Sequence, residues 1–148
     1  MVWGCFSYYG LEKLVFLPKN LRMNQNNYFE LILDESDECM EKCNADTFMQ
    51  DGAPCHTAKL IVDWFDFCNI SLLKPWLASS PDLNPIKNPW AYIKLKLKER
   101  DTSSLPRLQA AIQDIWDNID AQYLHHLGDS LPKRLEKIKK ARGHPINH

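Results

Sequence analysis

Two short segments carry the residues whose types and spacing could do chemistry, residues 50–58 (QDGAPCHTA) and residues 80–90 (SPDLNPIKNPW). Asp51 follows a short predicted strand at residues 47–50, and ligand groups of mixed α/β sheets tend to lie just beyond the carboxyl end of a strand. Gly52 permits a close backbone approach there. A carboxylate suits hard divalent cations such as Mg²⁺ or Mn²⁺. Asp51 is therefore a candidate metal ligand, with stabilisation of a turn as the alternative role.

Other polar residues nearby have simpler structural roles. Asp82 lies in the sequence SPDLNP, where its side chain suits a turn or a cap, so we do not expect it to be a ligand. Cys39, Cys43, Cys55 and His56 could be imagined as a zinc site, but their spacing fits none of the common patterns. We expect the cysteines to be buried or surface thiols.

The elements that must position these residues follow from hydrophobic periodicity. Two apolar runs around a turn predict a β-hairpin, and apolar residues on one face predict an amphipathic helix that precedes a further strand. A helix is expected to begin near Asn24, with the acidic residues 34–41 ending or following it. The hairpin is assigned to residues 1–9 and 14–17, the amphipathic helix to residues 57–68, and the strand to residues 70–73.

Prolines decide where the next helix begins. If Asn84 capped it, Pro89 would be the fifth helical residue, and its missing N–H and its ring would disrupt the first turn at a cost of about 3 kcal/mol. We therefore predict that Asn88 caps the helix and Pro89 opens it. This assignment leaves Lys87 in the preceding loop.

The rest of the chain is predicted to be mainly helical. Residues 93–98 alternate apolar and lysine residues as a strand does, whereas Trp90, Ile93 and Leu97 match a helix face, so both structures stay open there. Ser104 is the expected cap of the next helix. Gly128 is expected to interrupt the pattern before a final basic helix at residues 131–141.

Composition predicts one soluble globular domain. The chain has 148 residues, 45% of them hydrophobic, and a net charge of −1, which gives no global attraction to a polyanion. Charge is uneven, however: residues 30–46 carry seven acids against one base, whereas residues 133–142 carry six bases against one acid. The basic runs fit solvated helix faces, with phosphate contact as the alternative.

Five cysteines without a signal peptide indicate a reducing, intracellular compartment, and no apolar run is long enough to span a membrane.

Four segments in order, MVWGCFSYYG, QDGAPCHTA, SPDLNPIKNPW and SLPKR, resemble landmarks of the DDE transposases of the Tc/mariner superfamily. The resemblance covers nearly the whole chain. It implies an α/β fold of the ribonuclease-H-like type, a mixed sheet flanked by helices. Residues 1–100 would form a partial catalytic domain that lacks its first strands, and residues 101–148 a C-terminal helical extension of the same domain. The implied ancestral activity is Mg²⁺- or Mn²⁺-dependent DNA cleavage and strand transfer in the nucleus.

The resemblance makes Asp51 the second of three catalytic carboxylates and a metal ligand. Lys87 occupies the position of the third carboxylate. Two-metal cleavage needs oxygen ligands for a pair of divalent ions about 3.5–4 Å apart, and an ammonium has no acceptor and repels a cation. The family's first aspartate and its helix-turn-helix modules precede the segment that begins with Met1, so we expect the chain to lack them. We predict a degenerate copy that does not cleave DNA.

Several basic residues would carry any retained affinity for nucleic acid. They are His56, Lys94, Lys98, Arg100, Lys137 and Lys140. For His56, a capping or packing role near the start of the following helix is supported as well as a DNA contact is.

Three functions stay open: a residual nuclease, a noncatalytic module that binds nucleic acid weakly or self-associates through an exposed sheet edge, and a relic that does not fold stably. The noncatalytic module is the preferred hypothesis.

Overall fold

The structure, a computed structural model, describes residues 1–43, 46–73 and 84–140, and short strands alternate with helices along it. This order confirms the predicted α/β class. The elements are β1 (Val2–Trp3), β2 (Val15–Phe16), α1 (Gln25–Cys43), β3 (Thr47–Phe48), α2 (Lys59–Phe67), β4 (Ser71–Leu72), α3 (Lys87–Lys96), a 3₁₀ turn (Leu97–Glu99), α4 (Leu105–Asp117) and α5 (Ala121–Lys140). Packing divides the chain into two units, Met1–Leu17 with Pro81–His148 (the terminal unit) and Pro18–Ser80 (the central unit).

The terminal unit begins with the predicted hairpin. β1 pairs with β2 in antiparallel register, with Val2 opposite Phe16, and an isolated bridge continues the pairing towards the turn. Gly4 follows β1 at a point where an added Cβ would lie 2.6 Å from Cδ2 of Leu14 and 3.3 Å from Cη2 of Trp116. A residue without a side chain therefore lets the hairpin pack closely on its core.

Six buried residues from the hairpin and the helices form the core of the terminal unit: Leu14, Ile93, Ile115, Trp116, Ile119 and Leu124. Trp116 is 1% exposed, and its indole N–H donates to the carbonyl of Glu12 at 2.7 Å. Its ring stacks on Trp90 of α3, with centroids 5.4 Å apart. This core fixes α3 against α4 and the hairpin.

The start of α3 differs from the prediction. The helix begins at Lys87 and not at Pro89, and Asn88 is inside its first turn. Asn84 starts the turn: its carbonyl accepts from the N–H of Lys87 at 3.1 Å and its side chain from that of Ile86 at 3.3 Å. Pro89 is tolerated because the first N–H groups of a helix have no intrahelical acceptor. The loop position predicted for Lys87 and the capping role predicted for Asn88 were therefore wrong.

The remaining helices confirm one prediction and correct another. The hydroxyl of Ser104 accepts from the N–H of Arg107 at 3.5 Å, so Ser104 caps α4 as expected. Gly128 does not interrupt the last helix, because α5 runs through both Gly128 and Pro132. A Cβ on Gly128 would lie 2.8 Å from Cδ2 of Tyr8, so this glycine makes room for an aromatic ring. Residues 93–98, which fitted a strand or a helix, are helical except for the 3₁₀ turn.

The central unit contains α1, α2 and a parallel pair of strands. The side chain of Asn24 accepts from the N–H groups of Asn26 and Asn27, so α1 is capped at the predicted residue. The acidic residues 34–41 do not end the helix, because α1 continues through them to Cys43. β3 pairs with β4 in parallel, Thr47 opposite Ser71. The buried side chains of this unit are Tyr28, Leu31, Ile32, Met40, Ile61, Phe65 and Ile70.

Candidate functional site

Asp51 lies three residues beyond β3, at the carboxyl end of the strand where the sequence placed it. Its Oδ1 accepts a hydrogen bond from the N–H of Ala53 at 3.2 Å and lies 2.7 Å from Nδ1 of His56. The Asp51 side chain is 38% exposed and that of His56 is 20% exposed. Oδ1 of Asp51 thus closes a turn, as in the alternative role considered for this residue. The same oxygen also pairs with the imidazole of His56.

His56 is held from three sides. Its ring packs on the buried ring of Tyr28 with centroids 4.2 Å apart. Its carbonyl accepts from the side-chain amide of Gln50 at 2.9 Å, and the Tyr28 hydroxyl donates to the same Gln50 side chain at 2.8 Å. Tyr28, Gln50, Asp51 and His56 form one connected network, which we call the Asp51 network. It anchors the loop between β3 and α2 to helix α1.

The sequence analysis missed two members of this network. Tyr28 and Gln50 were not singled out as functional residues. The available signal was the position of Gln50 beside Asp51, since a side-chain amide can join a donor and an acceptor within one loop. The packing role considered for His56 is present in the structure through its contact with Tyr28.

Cys55 lies in the same loop and is not activated. Burial raises the pKa of its thiol above the ordinary value of 9.0, and the negative charge of Asp51 adds to the rise, while N–H groups of Cys55 and His56 oppose it. A thiol with a raised pKa is a weaker nucleophile near neutral pH because the thiolate is the reactive form. The loop's candidates for chemistry are therefore the carboxylate of Asp51 and the imidazole of His56.

The donors of the Asp51 network fit a pair of hard divalent cations poorly. Within residues 1–43, 46–73 and 84–140, no group of three His, Cys, Asp or Glu side chains is placed to hold a metal ion. Asp51 contributes one carboxylate, and its Oδ1 already serves Ala53 and His56. Mg²⁺ and Mn²⁺ prefer several oxygen ligands. No chemical step through a bound metal can be derived from this arrangement.

Lys87, at the position assigned to the third carboxylate, is the first residue of α3 and is exposed. Its ammonium supplies donors and no acceptor, so it cannot replace a carboxylate ligand. The first turn of α3 contains no acidic residue.

The basic residues predicted to contact nucleic acid differ in exposure and in ion pairing. Lys94, Lys98 and Lys137 are exposed. Arg100 forms an ion pair with Asp114, with Nη2 and Oδ2 2.8 Å apart. Lys140 ends α5, but its side chain lies outside the described part of the structure, as do Asp82 and the side chains of Cys39 and Cys43.

No protein-family model matches the chain. By sequence it is 30% identical to the Tcb2 transposase of Caenorhabditis briggsae and 32% identical to the Tc3 transposase of Caenorhabditis elegans, in each case over 100% of the chain. It covers 54% and 45% of those proteins, so the chain spans about half the length of the curated relatives it matches.

Solved structures give the same result for the fold. The structure of the Mos1 transposase catalytic domain with raltegravir and Mg aligns with this chain with a TM-score of 0.88 and 21% identity. The alignment covers 99% of this chain and 76% of the Mos1 chain. The Mos1 strand transfer complex aligns with a TM-score of 0.87 and 22% identity, over 99% of this chain and 43% of the Mos1 chain. No helix in the described residues has the length and apolar character needed to cross a membrane.

The chain therefore has the fold of the Mos1 transposase catalytic domain, which is the ribonuclease-H-like DDE fold. The sequence relatives are more specific than the fold. Over its whole length the chain is homologous to transposases of the Tc1/mariner type, as its four landmark segments predicted.

Proposed function

We propose that this transposase-derived chain binds DNA in the nucleus and does not cleave it. The observation that carries the proposal is Lys87. The family resemblance assigns this position to a metal-binding carboxylate, and here an exposed ammonium stands in the first turn of α3. A cation at that position repels the divalent ions that cleavage requires.

The surroundings of Asp51 support the same proposal. The Oδ1 atom of the surviving carboxylate is paired with Nδ1 of His56 at 2.7 Å, and the Asp51 network holds that pair in the loop after β3. A carboxylate tied to a histidine and a turn contributes to the loop's structure independently of any metal. Retention of Asp51 is thus compatible with a protein that no longer cleaves.

DNA as the partner comes from the relatives. One Mos1 neighbour is described as a paired-end complex with the left transposon end. Mg and Mn appear with the Mos1 catalytic domain, which supports use of divalent metal by the family. For this chain we propose the DNA contact without the productive metal pair, since its donors do not suit one.

A nicking assay on supercoiled plasmid tests the absence of cleavage. We expect wild-type protein in Mg²⁺ or Mn²⁺ to nick no faster than the Asp51→Ala variant, which lacks the candidate ligand. A family transposase serves as the positive control for the conditions. Nicking by the wild type that requires metal and disappears in Asp51→Ala would overturn the proposal.

A salt series of binding to labelled duplex DNA tests the proposed partner. Contacts with phosphates release counterions, so the logarithm of the binding constant should fall linearly with the logarithm of salt concentration. Fluorescence anisotropy between about 50 and 200 mM salt covers the range in which this dependence is steep. Absence of salt-sensitive binding at the lower concentration would remove DNA as the partner.

A further inference from the structure

The bases around α3 separate into two sets by position on the helix. Lys94 and Lys98 follow Lys87 by seven and eleven positions, which is close to two and three whole turns at about 3.6 residues per turn. The three lysines therefore share one face of α3 and of the 3₁₀ turn that continues it. We call them the α3 lysine row. All three are exposed, and the small exposed residue Ala91 lies between them on the same face.

The other two bases of the segment are occupied. The ammonium of Lys96 lies 5.7 Å from the centroid of the Tyr92 ring, and Arg100 is paired with Asp114. Within the described part of the chain, by contrast, Lys94 and Lys98 form no ion pair. Lys94 and Lys98 are therefore available to an anionic partner, and Lys87 is exposed at the start of the same face.

The helix that carries the row is rigidly held. Pro89 and Ile93 are buried on the opposite side of α3, and Trp90 stacks on Trp116 of the unit's core. The row spans eleven positions, or about 16 Å along the helix. A linear set of cations held on a packed helix is complementary to a linear array of phosphates, and duplex DNA carries a negative charge for about every 1.7 Å of its axis.

We infer that the α3 lysine row is a phosphate-contact site for duplex DNA, and that Lys87 at the former carboxylate position is part of it. The inference rests on the proposed DNA binding and assigns it to a surface. The row contacts the backbone and does not read bases, because the planar side chains that make bidentate base contacts are absent from it. A substitution that removes a metal ligand would thus add a phosphate ligand.

The test compares, in the full chain, neutralisation of the row with neutralisation of one lysine outside it. The row is neutralised in the triple variant Lys87→Gln, Lys94→Gln, Lys98→Gln, and Lys96→Gln is the control from the same helix. Glutamine has a helix propensity close to that of lysine, so the variants should keep their structure. Circular dichroism and thermal unfolding verify this before binding is measured.

The readout is the salt dependence of binding to two duplexes of unrelated sequence. Each phosphate contact contributes about −0.9 to the slope of log K against log salt, so the triple variant should lose about two to three units of slope. Its affinity near 50 mM salt should fall by roughly ten-fold or more, because the phosphate contacts supply most of nonspecific binding at low salt. Lys96→Gln should retain nearly the full slope, and both duplexes should bind equally.

The outcomes separate the inference from the function on which it rests. Salt-sensitive binding by the wild type that is unchanged in the triple variant would overturn the lysine row and leave DNA binding in place. No binding of either duplex by the wild type would overturn both. A ten-fold or greater preference for one duplex, lost in the triple variant, would overturn the assignment to backbone phosphates.

Discussion

Gly4→Ala should destabilise the terminal unit because Gly4 packs where no side chain fits. The added Cβ would lie 2.6 Å from Cδ2 of Leu14, whereas carbon atoms in contact are normally about 3.5–4.0 Å apart, so one group must move by about 1 Å. Leu14 is 4% exposed, and Trp116, 3.3 Å from the same Cβ, is 1% exposed, so neither can swing into solvent. Overpacking of this kind costs about 1–3 kcal/mol.

Urea denaturation followed by circular dichroism measures this cost. With a slope of about 1–3 kcal/mol per molar urea for a small protein, the midpoint should fall by roughly 1 M. Gly10→Ala is the matched control, because a Cβ at Gly10 meets no atom within 4 Å. Equal midpoints for Gly4→Ala and Gly10→Ala would refute the packing of the hairpin described above, and with it the support of α3 by this core.

Further predictions concern the core, a helix cap, a thiol and the row. Trp116→Phe removes the donor to the carbonyl of Glu12 and should lower the free energy of unfolding by about 1–3 kcal/mol in urea titrations. Ser104→Ala removes the cap of α4 and should cost about 1 kcal/mol by the same measurement. Cys55 has a raised pKa, so its thiolate forms at higher pH than in the unfolded chain. Its alkylation by iodoacetamide at pH 8, followed by mass spectrometry, should be slower in native than in urea-unfolded protein, and equal rates would contradict this. Lys87→Glu should weaken duplex binding more than Lys87→Gln does, measured by the same salt series, because it adds a negative charge that phosphates repel.

The sequence predicted the elements whose signals are local. Asn24 and Ser104 cap helices at the expected residues, since a side-chain oxygen beside the first turn needs no tertiary partner to act. The hairpin and the amphipathic helix α2 followed from their apolar patterns. Asp51 was placed correctly after a strand, although β3 is only two residues long. Strand length depends on pairing with β4, which lies more than twenty positions away.

Two features that the sequence did not predict have different causes. Gly128 was expected to end a helix because of its low helix propensity, but α5 runs through it, and the missing side chain makes room for the Tyr8 ring from a distant segment. The start of α3 depends on local hydrogen bonds: the carbonyl of Pro85 accepts from the N–H of Asn88, at 3.0 Å, and from its side-chain amide, at 3.1 Å. Pro89 then lies in the first turn, where its missing N–H would have no intrahelical acceptor, so the expected disruption does not arise.

Lys87 links the loss of one function to the proposed gain of another. A cation at the N-terminus of a helix is electrostatically unfavourable, because the helix dipole places partial positive charge there, and a carboxylate at the same position would be favourable. The dipole of α3 therefore does not explain a lysine at residue 87. Thermal unfolding of Lys87→Glu, measured beside its DNA binding, shows whether a loss of binding comes with a loss of stability. A loss of binding at unchanged thermal stability would support the assignment of Lys87 to a phosphate contact, whereas a parallel loss of both would assign it to a contact within the protein.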